Sequence, residues 1–423
     1  MYPTGGMDFR GLSTTTPFFT ETMKEIGIKP EIIRHGKFKA AVEPFMLKEM
    51  SVENKKQTQK ILNDVWNTML KDMSENRNLK QQELNEIANN LLITMNSDTL
   101  IQLGLIDSLI YPDELTNFLT KKTNVEDIDD LSFVSIGDMK DEKNKSKNKI
   151  AVIYAEGNID GNTDNIHNGY SKTLKKVFDD DEIDAVVLRV NSPGGSALIS
   201  DEILSQIKIS KKEKPLIVSM GNVTASGGYY ISCAADKILA SPNTITGSIG
   251  VFGLFFTAEE LLRSKVKLNY DNVKTNEFSN FGELNRSLSK KEKDALQSSV
   301  KKTYEEFITH VSEGRNITKE EVDKIGQGRV WSGLSAVNIG LVDSLGGLND
   351  AINLAAEMAK LIDFEITEFP KSKNSFEVFF EDMETSIEVK KYGIQTIYLE
   401  EMKEKLLKMQ GNQALLPIEY HLD

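Results

Sequence analysis

Two short phrases of this chain recur at one nearly constant offset. Ser74-Glu-Asn-Arg-Asn78 returns as Ser312-Glu-Gly-Arg-Asn316, and Leu103-Gly-Leu-Ile-Asp-Ser-Leu109 as Ile339-Gly-Leu-Val-Asp-Ser-Leu345, a shift of roughly 236 to 238 residues. The helical stripes ahead of them keep the same offset: Leu62, Trp66, Met69 and Met73 align with Val300, Tyr304, Phe307 and Val311, which predicts two core-facing helices. Phe18-Phe19-Thr20 echoes Phe255-Phe256-Thr257 at the front. A duplicated chain must fold as two related units. At this offset Met1 falls near Leu239, so the first copy lacks any counterpart of about residues 149 to 238. We expect the chain to be the C-terminal part of a longer polypeptide.

The second copy carries the motifs with chemistry in them. An apolar run, Pro215 to Met220, leads into Ala225-Ser226-Gly227-Gly228-Tyr229, the pattern of a strand that turns sharply into a helix. A serine at such a turn meets the free N–H groups of the helix start, and glycines beside it let a substrate backbone approach. The plain alternative is that Ser226 caps a helix with its side chain. Upstream, the apolar strand Asp184 to Val190 runs into Asn191-Ser-Pro-Gly-Gly-Ser196. The N–H of Gly194 or Gly195, paired with that of Gly227, forms a candidate oxyanion hole; an ordinary turn is the alternative.

No histidine presents itself as a base. His35, His167, His310 and His421 are the whole inventory, and none has a neighbourhood that marks it. Cys233 is the single cysteine, on an apolar helix where a packed thiol is expected rather than a nucleophile, and no disulfide is possible.

The series strand, S-P-G-G, helix, strand, A-S-G-G-Y-Y, then Thr246-Gly-Ser-Ile-Gly250 resembles the signal peptide peptidase A (protease IV) family of serine proteases, which has an α/β Clp-protease/crotonase-like fold, here as a tandem repeat with the first copy incomplete. That family uses a lysine as base, within a G-x-[YF]-K-[SA]-A-V-E-P-F segment. Gly36-Lys-Phe-Lys-Ala-Ala-Val-Glu-Pro-Phe45 matches it, so the resemblance implies Ser226 as nucleophile, Lys39 as general base, and Ser248 as the hydroxyl that holds the amine. A free lysine titrates near 10.4, so burial would have to lower it. In the repeat alignment Lys39 falls opposite Glu277, and the nearby Lys274 is an alternative base. The resemblance further implies peptide substrates such as signal peptides and other hydrophobic peptides. It implies a homo-oligomer, with a tetramer expected, membrane association through an N-terminal anchor missing from this sequence, and a place on the periplasmic side of the bacterial inner membrane. A crotonase-type acyl-CoA enzyme and a catalytically inert assembly protein are the competing readings.

Composition narrows the partners. The chain carries a formal charge of −13 and has no basic cluster with interleaved aromatics, so nucleic acid is not expected. No Cys, His or carboxylate cluster has ligand spacing, so no metal or other cofactor is assigned. No apolar run is long enough to span a bilayer, and no signal peptide opens the sequence. The expected domains are residues 1–120, the partial first repeat with the base lysine; a polar linker, 121–148; the complete second repeat, 149–362, with the serine; and a C-terminal extension, 363–423, with a helical pattern around Tyr398 to Met409.

Overall fold

The computed structural model describes residues 1–92, 95–135, 146–161, 166–167, 169–212, 214–370 and 411–415. Two compact units emerge, and they do not follow chain order: Met1–Thr14 with Leu62–Asn144, and Thr15–Ile61 with Lys145–His421.

The larger unit holds every described strand: β1 (Lys29–His35), β2 (Lys149–Glu156), β3 (Ile183–Ser192), β4 (Gly194–Ser196), β5 (Leu216–Ala225), β6 (Lys237–Ala240), β7 (Ile245–Gly247), β8 (Val251–Thr257), β9 (Val330–Ser332), β10 (Ser344–Leu345), β11 (Glu365–Phe369) and β12 (Gly411–Leu415). The main sheet runs β10-β6-β5-β3-β2-β11, all parallel, with β7 added to the end of β5 and β9 antiparallel to β7. Its central strands read as continuous apolar runs because both faces are covered. On β2 and β3, Ala151, Ile153, Val186, Leu188 and Val190 face one cluster with Tyr229, Tyr230, Val300, Phe307 and Val311. Ile150, Val152, Ala185 and Val187 face the other way, against Ala351, Ile352, Ala355 and Ala356 of the helix Leu348–Met358. The expected α/β fold with a parallel sheet is therefore present. A second, antiparallel sheet runs β1-β8-β12-β4. Residues from near the two ends of the chain meet in it: β1 pairs with β8 from Lys29↔Thr257 to His35↔Val251, and β12 lies between β8 and β4.

The smaller unit is helical among its described residues, with Phe9, Leu70, Leu84, Ala88, Leu92, Leu100 and Leu105 in its core. The repeated phrases adopt the same local structure in both units. The first phrase ends a 26-residue helix in each copy, Val52–Arg77 and Lys290–Arg315, closed by a left-handed asparagine, Asn78 at φ 52° and Asn316 at φ 54°. In each, the serine hydroxyl donates to a carbonyl five residues on, Ser74 to Leu79 at 2.5 Å and Ser312 to Ile317 at 2.6 Å. In each, an arginine reaches the aspartate of the second phrase at 2.7 Å, Arg77 to Asp107 and Arg315 to Asp343. The stripes differ. Val300, Tyr304, Phe307 and Val311 are buried against the sheet as expected; on the first helix Trp66 and Met73 of the expected stripe pack against the helical core, whereas Met69 is 38 % exposed and the buried apolar positions are Ile61, Val65 and Leu70. The first stripe is only partly covered because the smaller unit offers helical side chains and no sheet face to receive it.

Within the expected linker, residues 136–145 lie outside the described set, as do 371–410 of the extension, including the pattern around Tyr398 to Met409. No helix among the described residues is long and apolar enough to cross a membrane.

Candidate active site

The serine turn is as sharp as the sequence suggests. β5 ends at Ala225, the helix Gly227–Ser232 begins two residues on, and Ser226 between them has φ 55° and ψ −115°. A side chain at positive φ is strained, and such strain persists only where the surroundings impose it. Here the Ser226 N–H donates to Gly247 O at 2.8 Å and Tyr230 N donates to Ser226 O at 2.8 Å. The Ser226 hydroxyl makes no capping bond to the helix, so helix capping does not account for the residue.

The hydroxyl instead faces Lys39, whose Nζ lies 2.8 Å from Ser226 Oγ, 3.0 Å from Ser248 Oγ and 3.1 Å from Ser248 O. All three residues are fully buried. Lys39 follows β1 and stands just before a turn of 3-10 helix, Ala40–Val42; the β1–β8 pairing is what carries it to the serine. Burial alone pushes its amine well below the ordinary lysine value of 10.5, since no low-dielectric site favours the charged form. None of the described ion pairs involves Lys39, so no carboxylate offsets that effect.

Ser248 sits between β7 and β8 at φ 52°, its N–H donating to Arg329 O at 2.7 Å. Two glycines make room for the lysine stem: Gly250, which closes the Thr246-Gly-Ser-Ile-Gly250 motif, and Gly328, which was not singled out from sequence. A Cβ at Gly328, which has φ 78°, would lie 2.5 Å from Lys39 Cβ, and one at Gly250 would lie 2.6 Å from Gly328 Cα and 3.3 Å from Lys39 Cδ. The Gly326-Gln-Gly328 spelling was the available signal.

The candidate oxyanion loop approaches from β4. A Cβ at Gly228 would meet Ser192 O at 2.5 Å, so the glycine pair after Ser226 lets this loop lie directly on the elbow. Gly195, at φ 154°, could not carry a Cβ without meeting Ile159 O at 2.2 Å. Gly194 has φ 101°, and its N–H donates within its own loop to Ser192 Oγ at 3.2 Å. Gly227 heads the helix, where backbone N–H groups lack helical acceptors.

Other candidates fall away from this cluster. Lys274 donates to Glu277 O at 3.2 Å and Asn280 Oδ1 at 3.5 Å, not to Ser226; the segment opposite Lys39 in the repeat leads elsewhere. His35 lies against Tyr304 with ring centroids 4.1 Å apart and the rings tilted by 31°, and His310 faces Lys208, Asp201 and Glu313. Cys233 is buried, with its thiol pushed up to about 12 by burial. Among the described residues no group of three or more His, Cys, Asp or Glu side chains could hold a metal ion.

The profile of Peptidase family S49 matches residues 1–126 and 208–362. This chain belongs to that family. Similar proteins include Protease 4 of Haemophilus influenzae, 38 % identical over 373 residues that make up 84 % of this chain and 60 % of the relative. Protease 4 of Salmonella typhi is 33 % identical over 91 % of this chain and 64 % of its own length. A chloroplastic serine protease SPPA of Arabidopsis thaliana is 29 % identical over 83 % and 54 %. The chain thus spans roughly three-fifths of the length of the two bacterial relatives.

Proposed function

We propose that this chain carries the hydrolytic centre of a serine endopeptidase with a Ser226/Lys39 dyad. The observation that carries this reading is a fully buried lysine, its amine pushed by burial well below the ordinary lysine value, 2.8 Å from a hydroxyl on a strained turn. Neutral Lys39 takes the Ser226 proton as Oγ attacks a peptide carbonyl. The Gly227 N–H and those of the Gly194–Gly195 loop receive the oxyanion, and Ser248 holds the amine in line. As the tetrahedral intermediate collapses, Lys39 passes its proton to the leaving amine. It then deprotonates the water that hydrolyses the acyl-enzyme.

Extended hydrophobic peptides, cleaved signal peptides among them, fit this reading as substrates. β12 supports it: an extended segment already lies antiparallel against Gly194–Ser196 on one side and Phe252–Leu254 on the other, the geometry of peptide recognition by strand addition. Assembly as a homo-tetramer and association with the periplasmic face of the bacterial inner membrane belong to the same proposal.

A fluorophosphonate probe tests the centre. Wild type should be labelled at Ser226, and Ser226→Ala and Lys39→Ala should each lower labelling by about 10³-fold or more, with the double variant little worse, because residues acting as one unit are not additive. Lys274→Ala should be neutral. Labelling at another serine, or full labelling of Lys39→Ala, sinks the dyad.

A further inference from the structure

Lys39 is held by more than its own contacts. The residue before it, Phe38, accepts a hydrogen bond from Gln57 Nε2 at 3.1 Å, and the same amide nitrogen donates to Asn54 Oδ1 at 3.2 Å. On its other side Gln57 Oε1 accepts from Val330 N at 3.2 Å. The orientation of the amide is set by its partners: reversed, it would turn oxygen toward two oxygens and nitrogen toward an N–H. Gln57 and Asn54 are each 1 % exposed.

The three partners belong to different parts of the site. Phe38 carries the base. Val330 opens β9 and is in register with Gly247 of β7, one residue before Ser248, whose N–H rests on Arg329 O. A single buried amide therefore ties the loop bearing the lysine to the strand pair bearing the hydroxyl that steadies it. Behind it, Asn54 Nδ2 donates to Glu43 Oε2 at 3.0 Å, and Ser51 donates through its N–H and hydroxyl to the same buried carboxylate, so the amide is itself braced. The charged groups around the clamp are Glu43, Arg34, which reaches Lys39 O at 3.4 Å and Glu43 at 3.7 Å, and Arg329 and Lys37 over the Phe38 ring. None of the described ion pairs or hydrogen bonds joins one of these to Gln57 directly.

We propose that Gln57 is a positioning residue for the base, fixing Lys39 against Ser248 and sealing its amine from water by clamping the Phe38 carbonyl to the start of β9. This rests on the Ser226/Lys39 reading. Buried groups with every bond satisfied specify one geometry, and a displacement of an ångström at a reacting group costs on the order of 10²-fold in rate.

The test is the pH dependence of fluorophosphonate labelling of the full chain, with melting temperature measured alongside. Gln57→Met keeps the volume and removes all three bonds. It should slow labelling at neutral pH ~10- to 100-fold and move the half-maximal pH upward, because a loosened loop lets water reach the amine; raising the pH should recover part of the rate. Gln57→Glu keeps the shape and the acceptor for Val330 N but turns an oxygen on Phe38 O, and should shift the profile the same way. Loss of folding alone would scale the amplitude and leave the half-maximal pH in place. Unchanged rate and profile in a folded Gln57→Met, or variants that lose amplitude only, overturn the clamp while leaving the dyad standing. A wild type unlabelled at Ser226 overturns both and is told apart by its own blank.

Discussion

Lys39 has its amine and its whole stem out of water, which in an unfolded chain it would not. Since burial sets its folded pKa well below 10.5, the unfolded state binds more protons than the folded one at intermediate pH. Stability therefore rises with pH from the lowered folded value up to about 10.5, and flattens on either side. Lys39→Met fills the same channel under Gly250 and Gly328 without an amine to desolvate. It should raise the melting temperature at neutral pH by several degrees while abolishing labelling, and the advantage should shrink as the pH approaches 10. Calorimetry across that range checks it; a Met variant less stable at every pH would mean that the amine is solvated. Of the residues that build this site, Ser226, Ser248 and Lys39 were legible because their flanking spellings are distinctive. Gln57, Asn54 and Glu43 were not read as site residues: a glutamine on a polar helix surface looks like any other until the fold shows what its amide faces.

Among the elements, the strand β12 has the most direct consequence. It occupies the space between β8 and β4, with Leu415 in register with Gly194 of the candidate oxyanion loop. A peptide binding there by strand addition must displace it. Deleting residues 411–423 should lower KM for a peptide substrate several-fold with kcat little changed, as expected when a competitor inside the chain is removed. Equal KM in the truncated and full chains would show that substrate binds elsewhere. The strands β3 and β5 were readable from sequence because both faces of a buried parallel sheet demand apolar residues. β12 was not, since Gly411-Asn-Gln-Ala-Leu415 has no alternation to announce a strand; it is ordered by the two edges it joins. The helix Val52–Arg77 was recognised through its repeat, yet only part of the predicted stripe is covered, Trp66 and Met73 packing on the core while Met69 stays exposed, because burial is decided by the neighbour and not by periodicity.

On the scale of the whole molecule, the unit bearing the site is assembled from two stretches of chain, Thr15–Ile61 and Lys145–His421. A protease site engineered into residues 136–145 should yield, after cutting, fragments that co-purify and still label at Ser226, whereas residues 146–423 expressed alone should not label. Separation of the fragments on a sizing column under native conditions would contradict the β1–β8 pairing that holds them. The sequence by itself determined the recurring phrases, the buried strands and the sharp strand-to-helix turn at Ser226, since each leaves a local mark in composition or spacing, and the resemblance to a family pointed to Lys39 and Ser248 as candidates. Tertiary structure alone decided that the amine is buried, that 2.8 Å separates it from a hydroxyl 187 positions away, and that an internal strand fills the gap beside the glycine loop. Those are properties of packing between distant segments: desolvation and strand pairing depend on what the fold brings alongside, and no run of neighbouring residues encodes it.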